Sequence, residues 1–460
     1  GFGGGIYTTN GTVGDISDIR ILDNSASQGG GAFFNSVDID LDKIIFANNS
    51  SGEGSAFKMF ESSIDVINSN LAENTSSGNF GANSGSIFLH SSPNTLNLVN
   101  TVLANGSEYE LVAQYPTSGT NEIFVEYSML EEGNNFLLSE NSNVLWGSGN
   151  IDVDPRFVNQ ENLNFELLAS SQLINAGHPD SLDSDGSRAD IGVYPYLNSY
   201  SGPGWHISQD GNDITATGSQ DNPFLSIQSG INFSNPSDSV YVDSGTYIEN
   251  ITVRKNINLI GEDRETTIID GTGGRNIVTV ESTSAFYING FTIQNADLQE
   301  IEGLNSEGGG IRLLGNTGVV IDNILFQNNQ ANFGGALAIY GSPYTTVKNS
   351  IFTNNNSFQS TININSEGSF FKNCLFYGNT SSGSVIQYYN VQEENPTPAI
   401  IDQCNIVDNN EAGISASNAV GNDVYYITNS ILANNSGDWA FEIGNFDNST
   451  PTFNVSYSYV

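Results

Sequence analysis

Along the chain, short apolar runs alternate with outward polar positions and stop at an Asx or a glycine. The clearest unit spans residues 318–340, Gly-Val-Val-Ile-Asp-Asn-Ile-Leu-Phe-Gln-Asn-Asn-Gln-Ala-Asn-Phe-Gly-Gly-Ala-Leu-Ala-Ile-Tyr. Its alternation places Ile321 inward and Asp322 outward, then Ile324 inward, Leu325 outward and Phe326 inward. Asn323 interrupts that alternation, and Asn tolerates the left-handed backbone that a sharp bend needs. A Gly-Gly pair ahead of the next apolar run marks the opposite corner. The unit returns at Ile16–Phe33 and, in shorter form, at Lys43–Asn49 and at four later places beginning at 349, 373, 403 and 429, which are 24, 30 and 26 residues apart. Strand-like units at this period predict the coils of a solenoid, here an all-β right-handed parallel β-helix. Stacked coils put like residue on like, giving Phe/Ile/Leu stacks inside and Asn ladders at the turns.

The strand–Asn–Gly repeat resembles that of the pectin-lyase-like superfamily, and within it the secreted, tandem-module parallel β-helix repeat proteins. Asn150-Ile-Asp-Val-Asp-Pro-Arg-Phe-Val-Asn159, Phe165–Gly177 and Asp183–Tyr194 resemble a closing segment of that family. Trp205-His-Ile-Ser and Thr217–Ile231 resemble an opening segment. The expected organisation is therefore residues 1–197 as the rear of one β-helix module, 198–204 as a linker, and 205–460 as the front of the next. A short capping helix is expected near 222–232, with Asn222 as N-cap, Pro223 in the first turn, and Phe224, Ile227 and Ile231 on one face. Residues 131–150 lose the pattern and read as an elaborated turn. The two halves align with each other: Ile16 matches Ile321, an offset of 305, and Thr120–Leu130 matches Thr450–Val460, an offset of 330. The second copy has gained a coil near Val385–Asn410, and the chain reads as a window on a longer array.

Charge narrows the partners. There are 51 acidic against 12 basic residues, a net charge of −39 and a pI near 4.1. Nucleic acid and anionic membranes both require basic surface and are excluded as partners. Such self-repulsion is tolerable where salt is plentiful, since at seawater-like strength the Debye length falls to about 4 Å. An extracellular or cell-surface setting, saline or Ca²⁺-containing, is expected. No apolar run approaches about 18–20 residues, so membrane insertion is not expected. Two cysteines, Cys374 and Cys404, share one position of the repeat and read as small inward core residues on neighbouring coils.

Neither a lyase nor a polygalacturonase constellation is found in the sequence, while an acidic solenoid offers many carboxylates that could form an inverting pair. Elimination of the pectate-lyase type needs a base beside Ca²⁺-holding carboxylates, but Arg20, Lys43, Lys58, Arg312, Lys348 and Lys372 are scattered. The Gly-His-Gly and Arg-Ile-Lys of polygalacturonase-like hydrolases are missing, and His90, His178 and His206 stand alone. The best metal candidate is Asp183-Ser-Asp-Gly-Ser-Arg-Ala-Asp190, where Asp183, Asp185 and Asp190 could wrap a structural Ca²⁺. The other reading is a turn, with Arg188 neutralising the carboxylates. Asp152 and Asp154 read as a turn with side-chain-to-backbone hydrogen bonds. Tyr388, Tyr389, Tyr425 and Tyr426 are candidates for stacking on sugars, although half of them should face the core. The expected function is a non-catalytic tandem-repeat stalk, adhesin or fibre component whose partners are neighbouring modules or like chains. The alternative is a polysaccharide-binding or polysaccharide-degrading module. A carbohydrate-active module should combine acidic and aromatic side chains on one outer sheet, and a stalk should present a bland polar face.

Overall fold

In a computed structural model of the chain, the alternation becomes strands that stack coil on coil in parallel, a solenoid of about 15 turns. It describes all residues except 77–84, 92, 105, 107–108, 116, 118, 132, 134–135, 139–140, 272–273, 299–305, 390–396, 418–423, 438–439 and 445–451. Part of the 131–150 stretch and of the Val385–Asn410 coil thus lies outside the described residues. The chain divides into two compact units, Gly1–Ser199 and Tyr200–Val460.

Among the described residues, the first unit has three parallel sheets of five or six strands, beside two two-stranded ones. Sheet A stacks Ile6–Thr9, Ala32–Asn35, Phe57–Phe60, Gly85–His90, Tyr109–Gln114 and Phe136–Leu138. Sheet B stacks Val13–Ser17, Asp38–Asp42, Ser63–Ile67, Thr95–Val99, Asn121–Glu126 and Ser142–Trp146. Sheet C stacks Arg20–Leu22, Ile45–Ala47, Asn70–Ala72, Val102–Ala104 and Met129–Leu130. The expectation of an elaborated turn at 131–150 is corrected. Phe136–Leu138 pairs with Leu111–Ala113, and Ser142–Trp146 pairs with Asn121–Val125, so this stretch adds a further coil.

The second unit repeats the plan. Its sheet B includes Val319–Gln327, Thr346–Lys348, Phe370–Lys372, Ala399–Asp402 and Val424–Thr428, and its sheet C includes Ile351–Thr353, Leu375–Tyr377, Asn405–Val407 and Ile431–Ala433. Inside, Phe326, Phe352 and Phe376 stack at 4.6 and 4.7 Å with nearly parallel rings. Between sheets B and C sits one left-handed residue per coil: Asp18, Lys43, Asn68, Asn100 and Tyr127 in the first unit, and Asn323, Asn349, Asn373, Gln403 and Asn429 in the second, all at φ between +46° and +56°. After sheet C, a buried Asn on each coil joins a ladder. Asn329, Asn355, Asn379 and Asn409 each donate from Nδ2, at 2.9–3.1 Å, to Oδ1 of the Asn one coil on, ending at Asn435. In the first unit Asn24 and Asn49 do the same, donating to Asn49 and Asn74 at 3.1 and 2.9 Å. Each of these amides other than that of Asn24 also bonds a carbonyl of the coil before it, as Asn355 does to Phe326 O at 3.0 Å, so the corner leaves its polar groups satisfied.

The capping helix forms, but at Ile227–Phe233 with Ser226 at its N-cap. Asn222 does not cap it, because Phe224 bridges Ile207 in strand fashion. The first-turn amides of Ile227 and Gln228 instead donate to Glu249, at 2.8 and 3.1 Å, a carboxylate from 21–22 residues away. Cys374 and Cys404 are buried and unbonded.

Candidate functional site

Only the outward columns of a β-helix are free of the packing rule, so a site must be built from them. Three such columns run down sheet B of the first unit. The first is Asp38, Ser63, Thr95, Glu122 and Asn143; the second is Asp15, Asp40, Asp65, Asn97, Phe124 and Leu145; the third is Ser17, Asp42, Ile67, Val99 and Glu126. No Lys or Arg stands in them. Asp15, Asp40 and Asp65 lie on successive strands, about 4.8 Å apart. Asp40 is held above the ordinary carboxylate range, first by partial burial and then by the charges of Asp65, Asp15 and Asp38.

Two coils further on, the carboxylates give way to an apolar platform. Phe124 and Leu145, in the second column, are 37 and 55% exposed, and Trp146, which pairs with the inward Val125 and ends the last strand of the sheet, is 45% exposed, unusual for side chains of this size. With Asp65, Asn97 and Glu126 they line a cleft of about 510 Å³. Asn97 Nδ2 donates to Asp65 Oδ1, and Asn143 Nδ2 to Glu122 Oε1 at 3.1 Å, so amides of later coils orient the carboxylates of earlier ones. Trp146 is steadied by Phe136, with ring centroids 6.1 Å apart. A concave apolar floor with polar groups at its rim is the usual composition of a ligand site. The sequence reading missed Leu145 and Trp146 because they fall in the 131–150 stretch. The alternating Asn143-Val-Leu-Trp run, one coil after Glu122-Ile-Phe-Val, was the available signal.

The expected metal loop lies elsewhere. Asp183, Asp185 and Asp190 are brought together, but as acceptors for backbone N–H groups. Asp190 accepts from Asn175 N and Tyr196 N, both at 2.7 Å, and Asp183 accepts from Asp190 N at 3.0 Å. Asp185 accepts from Ser187 N and Asn198 N at 3.0 Å. Burial, opposed by those two hydrogen bonds and reinforced by Asp183 and Asp185, pushes Asp190 up to about 8. Arg188 does not neutralise the carboxylates; its guanidinium donates to the Gly177 and Ala176 carbonyls at 2.6 and 3.2 Å. These carboxylates are thus already used by backbone N–H groups, and among the described residues no group of three or more His, Cys, Asp or Glu is placed to hold a cation. Asp154 likewise accepts from Arg156 N at 2.9 Å.

The remaining candidates disperse. Lys58 is buried between Phe33 and Phe88, 5.8 and 5.3 Å from their ring centres, and is paired with Glu53 on sheet A. His90 packs on Phe60 and Tyr115, His178 on Tyr127, and His206 on Tyr241. Tyr388 and Tyr425 are buried and packed together at 4.7 Å, whereas Tyr389 and Tyr426 are exposed.

Residues 276–454 match the family model described as right handed beta helix region. No curated protein matches the sequence. Similar solved structures include a pectin methylesterase from carrot, 13% identical, covering 56% of this chain and 90% of that one with a TM-score of 0.39. An alginate lyase of the PL6 family is 9% identical, covering 100% and 97% with a TM-score of 0.35. The A-module of a mannuronan C-5 epimerase from Azotobacter vinelandii is 11% identical, covering 98% and 90% with a TM-score of 0.21. The family match covers most of the second unit, and the first unit repeats its coils, corners and Asn ladder; the chain is a right-handed parallel β-helix protein.

Proposed function

We propose that the first unit binds a polysaccharide along the outer face of its sheet B, in an extracellular setting suited to so acidic a chain. The carrying observation is the adjacency, on one face, of carboxylate columns and the exposed Phe124 and Leu145, with Trp146 lining the same cleft. Pyranose rings offer C–H faces that stack on aromatic rings, and hydroxyls that donate to carboxylates such as Asp65 and Glu126. A face without a cation repels uronate chains, which points to a neutral or amino-sugar glycan. A purely structural stalk would leave this face bland. The glycan reading gives the expected surface-displayed repeat protein something to adhere to. The arrangement supports binding, and no bond-breaking step is assigned to it.

The test is calorimetric titration of the whole chain against neutral glucans and mannans, chitosan, and polygalacturonate. Binding to a neutral or amino-sugar chain is expected. Phe124→Ala and Trp146→Ala, both at exposed positions, should each weaken it about ten-fold, near 1.4 kcal/mol. Tyr426→Ala in the second unit should leave it unchanged. Equal affinity in the Trp146→Ala protein, or binding confined to polygalacturonate, would overturn the reading.

A further inference from the structure

The two units differ in what lies over sheet C. In the first unit the outward column is Arg20, Ile45, Asn70, Val102 and Met129. Pointing outward, these side chains ought to be wet, yet Ile45, Asn70, Val102 and Met129 are 0–1% exposed. They are covered by the closing segment, which crosses the sheet from its first coil to its last. Arg20 donates to Leu163 O at 2.8 Å and Gln160 bonds Glu73. Val193 N donates to Asn70 Oδ1 at 3.2 Å, His178 N to Asn100 Oδ1 at 2.6 Å, and Gly192 N to Asn100 O at 2.9 Å. The approach at Gly192 is so close that a Cβ there would meet Asn70 Oδ1 at 2.6 Å, in a backbone at φ +111°.

The corresponding column of the second unit is Leu325, Ile351, Leu375, Asn405, Ile431 and Tyr459. It is as apolar as the first, but Ile431 and Tyr459 are 43 and 68% exposed, and Leu325, Ile351 and Leu375 are half-buried. A largely apolar stripe on an outward sheet face, interrupted here by Asn405, marks an interaction surface. We infer that this stripe is the docking site for a closing segment of the kind formed by residues 155–193, an extended, glycine-containing strap that donates backbone N–H groups to corner amides and covers the aliphatic column. The argument is equivalence of position: the same column, at the same place after the left-handed corner, is already seen with this occupant in the first unit. The left-handed corners Asn349, Asn373 and Asn429 take the place in the repeat that Asn100 takes there.

The experiment extends the full chain after Val460 with a second copy of residues 131–199. Val460 matches Leu130 in the internal alignment, so the graft continues the coils in register. Hydroxyl-radical labelling should show Ile351, Leu375, Ile431 and Tyr459 losing solvent access severalfold, and the extended chain should melt about 5 °C higher. Ile431→Asp with Tyr459→Asp should abolish both effects in the extended chain. The same pair should leave the unextended chain's melt unchanged, since those side chains face water there. Unaltered labelling on extension would overturn the inference. So would protection that appears in the unextended chain only at high concentration together with a dimer in sedimentation, which would make a second copy the occupant.

Discussion

Sheet B shows what a common scaffold leaves undecided. In the first unit its outward columns carry Asp15, Asp38, Asp40, Asp42, Asp65, Glu122 and Glu126 with no cation among them. At the same places in the second unit, Asp322, Lys348, Lys372 and Asp402 stand in one column. There Lys348 reaches Asp322 at 3.2 Å. Asp402 is held below its ordinary range by hydrogen bonds from Asn429 and Thr428, with Lys372 adding to the effect. One unit neutralises its face and the other leaves it charged beside an apolar platform. Inward columns, left-handed corners and the Asn ladder are shared, so those features belong to folding. The outward columns differ, and the proposed binding rests on them.

If that division is right, ladder residues should matter equally in both units. Asn355→Ala strands the Phe326 carbonyl and the Asn329 amide, and Asn74→Ala strands the Phe46 carbonyl and the Asn49 amide. Each should destabilise its unit by about 3 kcal/mol, read as a lowered urea midpoint. A unit that tolerates the change would break the comparison. Next in size is an effect confined to the second unit. Glu411 is buried with, among the described residues, the Thr361 hydroxyl, at 2.7 Å, and the Ser381 hydroxyl as side-chain partners, and burial pushes it up to about 7 from 4.5. A raised folded pKa means that the native state holds its proton more tightly, so stability falls as pH rises from 4.5 to about 7 and then levels. Glu411→Gln should flatten that slope and be more stable above pH 7 by about 2–3 kcal/mol, with the two melting curves converging near pH 4. Divergence at low pH instead would show the carboxylate to be paired. The smallest effects are on the outer faces. Lys348→Glu should destabilise, and Asp40→Asn should stabilise, by about 0.5 kcal/mol each at low salt. Both differences should vanish in melts at 1 M NaCl, where the Debye length is about 3 Å.

Much of the fold was legible because the coil repeats its demands. Ile321, Ile324 and Phe326 had to face inward, and Asn323 had to turn left-handed, and each does. The helix was misplaced because Asn222-Pro223 imitates a cap locally, whereas the actual cap is Glu249, reached only through the fold. The site was largely illegible for the opposite reason. Nothing in the repeat constrains an outward residue, so Asp40, Phe124 and Leu145 share a column only once strand register is known. The Asp183–Asp190 loop illustrates the same limit: its composition suits a cation, but the backbone amides of Asn175, Tyr196 and Asn198, invisible as partners in sequence, occupy its oxygens.

The one-residue left-handed corner has a consequence beyond folding. By fixing where each strand of sheet B ends, it makes every outward column a ruler graduated in strand spacings of about 4.8 Å, whatever the length of the loops between coils. A glycan advances by a closely similar step per sugar. On the proposed reading, successive sugars laid along the column would meet successive coils, and the length of ligand engaged would be counted in coils. A coil gained or lost by insertion, as between the two copies in this chain, would lengthen or shorten the measured stretch by about one sugar without redesigning any contact.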